Sequence, residues 1–482
     1  MNLEKLFNPK SMCVVGISKK NPLSPGRIIL LKNEYEYEVK VYGIHPEGGE
    51  VEGITLYKDL NELPEIPDIL TIAVGPDDTL GYIQDCAELD IPASIIIGGG
   101  FAEIGGEGIK RQERLEKIAF DNNIAVLGPN CIGVYSPPLI DTIFLPTERI
   151  TRPPKGSVAL ISQSGGVLVD QFFVKFEERN IGVSTAVSIG NRAVVDEVML
   201  LEYFSKIDPN TTNIAFYLEG FKNSQNARQF LKLARESEDT VITYFGGKTE
   251  QGKVATQSHT ASLAGNYKIL SAALHQNFII NPHSERELLT YLKVYDVLSH
   301  KKKPFGDNTI TFGNVAILSV SGGHGVICSD IIGKYGLSAV KFTEKEKEEM
   351  YEILNPVARE IASFNNPIDL TGSVQDIDIE NIIRYLSGIE RIECILLLLL
   401  PYPPNISFQI GRRIANIATS MKKPIICFIP YVEKYKLIIE SLELSNIPVF
   451  HSIKEAVQAA SAVKLRTRIN NVKKNNIFWE KR

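Results

Sequence analysis

Residues 158–178 read VALISQSGGVLVDQFFVKFEE. A short apolar run, Val158–Ile161, enters a turn of small polar residues, Ser162-Gln163-Ser164-Gly165-Gly166, and a longer stretch from Val167 to Glu178 follows. The order predicts a strand, a tight turn and a helix, the repeating unit of a parallel sheet. The start of such a helix leaves backbone N–H groups without partners, and the aligned peptide dipoles favour an anion there. The layout returns at residues 315–325, VAILSVSGGHG, with the turn at Ser321, Gly322 and Gly323. Candidate phosphate contacts are therefore Ser162, Gln163, Ser164 and Gly165 at one helix start, and Gly322 and Gly323 at the other.

Outward from that unit, the first third of the chain follows the same alternation. Apolar runs at Met12–Val15, Val39–Ile44, Ile69–Val74, Ala93–Ile97 and Ile124–Leu127 alternate with helical stretches such as Asp77–Leu89 and Gly108–Asn122. This predicts a doubly wound α/β sheet. The first strand runs into Gly16-Ile17-Ser18, with Pro22, Pro25 and Gly26 before a helix from about Arg27. Such a turn sets N–H groups against a phosphate, and it also fits an ordinary tight turn. The pattern GxGxxG is absent, and the second strand ends in His45-Pro46-Glu47-Gly48-Gly49 rather than in an acid, so a nicotinamide dinucleotide is not expected. Two more turns, Gly98 to Phe101 and Gly128-Pro129-Asn130-Cys131, stand at strand C-termini, the edge where open parallel sheets bind ligands.

The proline-rich stretch Ile140 to Gly156 reads as a linker. Beyond the opening unit, the middle third adds strands at Val183–Ser188, Ile214–Leu218, Val241–Tyr244 and Phe278–Ile280. Lys301 to Gly313 reads as a second linker, and the last third adds Val315–Val320, Cys394–Leu400, Ile425–Ile429 and Val449–Phe450. The basic, Asn-rich end from Asn470 to Arg482 reads as a frayed tail. The resulting division is 1–137, 152–299, 312–465 and a tail over 466–482.

Composition excludes several classes. Over 482 residues the net charge is −5, which argues against nucleic acid and anionic membrane surfaces as partners. The six cysteines are far apart and mostly sit in apolar runs, as small buried hydrophobes of a reducing compartment do. The N-terminus MNLEKLFNPK has no apolar signal core, and Cys394–Leu400 is too short to span a bilayer. A soluble cytoplasmic protein is expected.

The reactive group stands at residues 257–265, QSHTASLAG, after the Gly/Lys-rich approach FGGKTEQGKVAT at 245–256. His259 sits among small and hydroxylated residues, and an imidazole can act as base, acid or nucleophile near neutral pH. A lone histidine also fits the cap of a following helix. Glu219, at the C-terminus of the strand Ile214–Leu218, is a carboxylate placed to orient an imidazole through its second nitrogen. The rival histidine is His324, itself inside a glycine turn.

The motifs VVGIS (14–18), VLGPNCIG (126–133), ISQSGG (161–166), SIGN (188–191), YLEG (217–220), SHTASLAG (258–265), SGGHG (321–325) and NPIDLTG (366–372) occur in the order found in the α subunits of NDP-forming acyl-CoA synthetases. The chain resembles that family, the ADP-forming acetate–CoA ligase type, nearly throughout. Its first two domains are also similar to the α subunit of succinyl-CoA ligase. The resemblance implies an N-terminal Rossmann-like CoA-binding domain followed by two flavodoxin-like parallel-sheet domains. It implies CoA at Gly16, Ser18, Gly26 and Asn130, phosphorylation of His259 and orientation by Glu219, with the two helix N-termini flanking the phosphohistidine. It further implies that acyl-CoA, phosphate and ADP are converted reversibly to a carboxylic acid, CoA and ATP.

No ATP-grasp pattern is present in the sequence, so an ATP-grasp β subunit is expected to bind ADP/ATP and Mg²⁺, in an α2β2 assembly. Five places depart from the family pattern. Ala261 replaces a glycine, Leu23 falls near a usual lysine, His45-Pro46-Glu47 stands where Asn-Pro-Lys is usual, Arg192-Ala193-Val194-Val195-Asp196 follows SIGN where the family continues with Glu or Ala and then Asp, and His324 replaces a proline. They bear on the acyl substrate and on CoA affinity. The competing reading is a CoA-binding regulator or acyltransferase scaffold without phosphoryl transfer; a dehydrogenase is weaker still.

Overall fold

Three parallel-dominated sheets carry the chain in a computed structural model that describes residues 1–259, 266–299 and 309–480, with the side chains of all of these except 255–259 and 476–480. The first sheet holds β1 (Ser11–Val15), β2 (Lys40–Ile44), β3 (Gly49–Val51), β4 (Ile54–Tyr57), β5 (Ile69–Ile72), β6 (Ala93–Ile96) and β7 (Ala125–Leu127). Their order is β3-β4-β2-β1-β5-β6-β7, and only β3 against β4 is antiparallel. Strand order reverses beside β1, so the crevice at the C-terminal ends of β1, β2 and β5 is the place for a ligand. The hairpin β3–β4 has no counterpart in the sequence reading. Its residues lack a long apolar run because β3 is the edge strand and each of β3 and β4 has only one buried residue.

The second sheet holds β8 (Val134–Ser136), β9 (Ile140–Asp141), β10 (Lys155–Ser162), β11 (Val183–Ser188), β12 (Asn213–Leu218) and β13 (Thr240–Phe245), in the order β13-β12-β10-β11-β8-β9. The stretch expected to be a linker is thus partly sheet. Asp141 in β9 is fully buried, with Lys32 Nζ at 3.0 Å and Arg152 Nε at 2.7 Å. Residues 278–280 form no strand; Ile280 makes a single bridge to Ile242.

The third sheet holds β14 (Asn314–Ser319), β15 (Ser338–Ala339), β16 (Ile368–Asp369), β17 (Cys394–Leu398), β18 (Ile425–Phe428) and β19 (Val449–Phe450). It runs β15-β14-β17-β18-β19, with β16 also on β14, and every pairing is parallel. The C-terminal stretch is helical rather than frayed. One helix spans Ile453–Glu480, anchored by buried Thr467 and Lys473 well past the expected domain end at 465.

The chain divides into Met1–Glu285 and Arg286–Arg482. The first unit contains two of the sheets joined by a shared apolar cluster, in which Phe7 packs on Tyr203 and Phe204 at ring distances of 5.0 and 5.2 Å, and a second cluster includes Cys13, Val15 and Phe101. The helix Glu285–Ser299 straddles this division, ahead of the boundary expected at 299. From Arg286 on it belongs to the second unit, where the Tyr295 hydroxyl donates to Ala462 O at 2.7 Å and Lys293 pairs with Glu443 at 2.5 Å. Among the described residues no helix is long and apolar enough to cross a membrane.

Candidate active site

At the edge of the first sheet, Gly16 has φ +88°, and a Cβ there would lie 2.2 Å from Ala73 O. Only glycine lets β1 turn so close to the strand beside it. Gly26 serves packing: its Cβ would lie 2.6 Å from Gly16 O, so the helix Pro25–Glu36 can seat against the turn. Ser18 is bound up in its own loop. Its hydroxyl accepts from Asn21 N at 3.0 Å, and its N–H donates to Ser24 Oγ at 3.3 Å. Gly16 and Ile17 line a cavity of about 760 Å³ that His45, Lys58, Val74 and Tyr82 also line. The glycine cradle and the cavity at the strand reversal fit an adenosine-bearing ligand such as CoA.

The two sheets of the first unit meet through their loops. Asn191, Ala193 and Val195 donate backbone N–H bonds to Pro129, Gly128 and Val126, at 2.9, 3.1 and 3.0 Å. Gly190 is forced by this contact, since a Cβ would stand 2.3 Å from Pro129 O. Asn130, itself at φ +57°, donates from Nδ2 to Asn191 Oδ1 at 3.4 Å. Asn191 in turn donates to Glu103 Oε2 at 2.5 Å and to Gln112 Oε1 at 3.2 Å. The Glu103 carboxylate also accepts from the N–H groups of Gly100 and Phe101. Partial burial works to raise its carboxyl, but the bonds from Asn191 and the loop N–H groups outweigh that and hold it below the ordinary glutamate range. Sequence reasoning named both glycine turns and missed Glu103. The available signal was a carboxylate three residues beyond Gly100.

At the edge of the second sheet, the opening motif folds on itself. Ser162 Oγ donates to Ser164 O at 2.6 Å, and Val167 N donates to Ser164 Oγ at 3.4 Å. Gly165 lies against Ile132, whose Cβ would be 3.1 Å from an added methyl. Val167–Phe173 is wound as a π-helix, and α-helix resumes at Val174. Gln163 ties this turn to β12: its N–H donates to Tyr217 O at 3.0 Å, and its Oε1 accepts from Glu219 N at 2.8 Å. Tyr217 OH stands 3.5 Å from Glu219 Oε1, and burial followed by the nearby carboxylate pushes that phenol up to about 12.

A second cavity, of about 330 Å³, opens here between Val167, Gln171, Phe172, Tyr217, Tyr244 and Lys248. Lys248 Nζ lies 4.0 Å from the centre of the Tyr244 ring and donates to Pro282 O at 2.8 Å. The backbone from Glu250 to His259 is helical, separated by four residues from the end of β13 at Phe245, so residues 257–259 of the expected loop belong to a helix instead. The structure brings together Ser162, Gln163, Ser164, Gly165 and Glu219, and starts the His259-bearing helix at the same sheet edge. The imidazole of His259, and residues 260–265, lie outside the described residues.

In the second unit, Ser321 occupies the N-cap position of the helix Gly322–Ile332 without a side-chain capping bond. A Cβ on Gly322 would lie 2.7 Å from Asp369 Oδ2, so the carboxylate would have to shift, whereas a Cβ on Gly323 meets nothing. Asp369 Oδ1 accepts from Thr371 N at 3.0 Å, and Thr371 holds φ +59°. Asn366 stitches this turn to the sheet, accepting from Ile317 N at 3.0 Å and donating to Val315 O and Val340 O at 2.9 and 3.0 Å. His324 Nδ1 lies 3.0 Å from Ser321 Oγ, and its ring stacks on Phe428. The rival imidazole is thus already engaged within its own turn.

Comparison with known proteins follows the same division. Residues 10–137 match a family described as a CoA binding domain, and residues 155–295 match the succinyl-CoA ligase like flavodoxin domain. The acetate–CoA ligase [ADP-forming] I subunit alpha of Pyrococcus furiosus is 33% identical over 477 residues, covering 96% of this chain and 97% of that protein. The acetate–CoA ligase [ADP-forming] I of Archaeoglobus fulgidus is 29% identical over 97% of this chain, and the match takes up 64% of its length. A solved structure of the dinucleotide forming acetyl-coenzyme A synthetase 1 of Ca. Korarchaeum cryptofilum, in complex with phosphate and ADP, superposes with a TM-score of 0.85. The alignment covers 98% of this chain and 99% of that one at 28% identity.

Proposed function

This chain belongs to the family of ADP-forming acetate–CoA ligase alpha subunits, and from that premise we propose that it interconverts an acyl-CoA and a carboxylic acid through an acyl phosphate and a phosphohistidine. The enzyme is an acid–thiol ligase. Phosphate oxygen attacks the thioester carbonyl, the carbon–sulfur bond breaks, and the thiolate takes a proton to leave as CoA. A nitrogen of His259 then attacks the phosphorus of the acyl phosphate, and the carboxylate leaves. Splitting the transfer replaces one difficult displacement with two easier ones. The phosphoryl group passes finally from His259 to ADP, restoring the free imidazole.

The observation that carries this reading is the gathering of Ser162 to Gly165, Tyr217 and Glu219 around one sheet edge from which the His259-bearing helix departs. The N–H groups that follow Ser164 are suited to a phosphoryl oxygen, and Gly322 and Gly323 offer the same kind of donors in their own unit. Glu219 is assigned the orienting role, through the far nitrogen of the imidazole. CoA is assigned to the first sheet, with its diphosphate at the Gly16 turn and its chain directed past Asn130. Ser18 and Gly26 shape that turn.

The nucleotide and Mg²⁺ are assigned to an ATP-grasp β subunit, in an α2β2 assembly. Support comes from lengths: the named alpha subunit of P. furiosus matches this chain almost end to end, whereas the A. fulgidus relative extends well beyond it. The test is transfer of labelled phosphate from ATP to the chain in the presence of the partner and Mg²⁺. Wild type is expected to take up an acid-labile, base-stable label. His259→Asn is expected to fold normally, to take up none, and to lose about a million-fold in turnover. Label retained by His259→Asn and lost by His324→Asn would make His324 the carrier. Glu219→Gln is expected to lose less than His259→Asn.

A further inference from the structure

The cavity at the edge of the first sheet is walled by carboxylates: Asp59, Asp77, Asp78, Asp85 and Glu88 all line it, and of these Asp77 is paired with Arg111 at 3.1 Å. Asp85 is held above the ordinary aspartate range, first by its partial burial and then by the charges of Glu88 and Asp59. Such a wall repels a phosphate. Among the residues lining the cavity, Lys58 is the one lysine or arginine. Its side chain lies over the turn that ends β2, where a Cβ on Gly48 would meet Lys58 Cγ at 3.2 Å. The nearby ammonium of Lys19 is turned to Glu47, at 3.6 Å. In an open parallel sheet the end of this strand is where a substituent on the adenosine ribose is read, and a cation there accommodates a ribose phosphate.

We propose that Lys58 is the residue by which this chain recognises the 3′-phosphate of CoA, an assignment that rests on the placement of CoA at the first sheet. The ammonium offsets the carboxylate wall and forms a charge-assisted bond to the phosphate. Its removal deprives the ligand of an attraction and leaves the repulsion, so the loss falls on the phosphorylated ribose alone. Dephospho-CoA, which shares the diphosphate and pantetheine but lacks the 3′-phosphate, is indifferent to it.

Calorimetric titration of the full chain with CoA and with dephospho-CoA tests this. Wild type is expected to prefer CoA by about 10- to 100-fold, the worth of one hydrogen bond to a charged group. Lys58→Met is expected to erase that preference by weakening CoA, while dephospho-CoA binds as before. Lys58→Arg is expected to keep most of it, and Lys19→Met to keep all of it. Lys58 is exposed, so each variant is expected to melt as wild type does. The assignment is overturned if Lys58→Met retains the preference, if it weakens both ligands equally, or if wild type binds both alike. Wild type that binds neither ligand would instead remove the placement of CoA itself, and this assignment with it.

Discussion

Glu103 shows how much of the site depends on a residue whose chemistry is not reactive. Its carboxylate gathers N–H groups of its own glycine turn and the amide of Asn191 from the neighbouring sheet. The folded chain therefore holds the ionised form better than the unfolded chain does. A carboxyl depressed in this way stabilises the fold above the ordinary glutamate range, and that contribution is lost as pH falls through the folded value. The difference in urea midpoint between wild type and Glu103→Gln is expected to be steady near neutrality and to close below about pH 4. A difference that grows on acidification would show the carboxyl is not held ionised.

Glu103 also marks a limit of sequence reading. Gly16, Ser162, Gln163 and Glu219 stood out because turn chemistry and strand ends are local. The partner that ties Glu103 to the second sheet, Asn191, is supplied by a loop 88 positions further along the chain, and no local pattern reports it. Gly26 was legible as special but not as what it is, a packing glycine against Gly16.

Elements were read well where burial gave a long apolar run, as at β1, β5, β10, β11, β14 and β17, all fully buried apart from the first residue of β10 and β14. Among strands two or three residues long, β7 and β19 were read, whereas β8 and β9, which proline-rich neighbours disguise, were missed. The helix Glu285–Ser299 was not singled out in the sequence, because an apolar run does not say against what it is buried. Its attachment can be measured. Tyr295 is fully buried, with its hydroxyl on Ala462 O in the C-terminal helix. Tyr295→Phe keeps the ring and removes that bond, and is expected to cost about 1 kcal/mol in urea unfolding. A variant as stable as wild type would place the attachment in the apolar contacts alone.

For the molecule as a whole, the cut between its two units has a testable position. Residues 1–285 end where the first unit ends, whereas residues 1–299 carry a helix on which Lys293 and Tyr295 have their partners, Glu443 and Ala462, in the second unit. The fragment 1–285 is expected to be monodisperse and to melt in one transition. The fragment 1–299 is expected to self-associate, with dye-accessible apolar surface. Light scattering on the two fragments decides it, and equal behaviour would move the boundary back to the one suggested by the sequence.

The apolar cluster shared by the first two sheets bears on how such ligases can be recombined. Phe7 meets Tyr203 and Phe204, and the backbone of residues 191–195 runs hydrogen-bonded along residues 126–129. An exchange of residues 1–130 between relatives, whether by genetic crossover or by grafting, would set a foreign surface against an inherited one at every point of that seam. The portion that can travel intact is the whole stretch to residue 285, with both its cavities. New ligand preferences within it are more readily reached by substitutions at a cavity rim than by shuffling its parts.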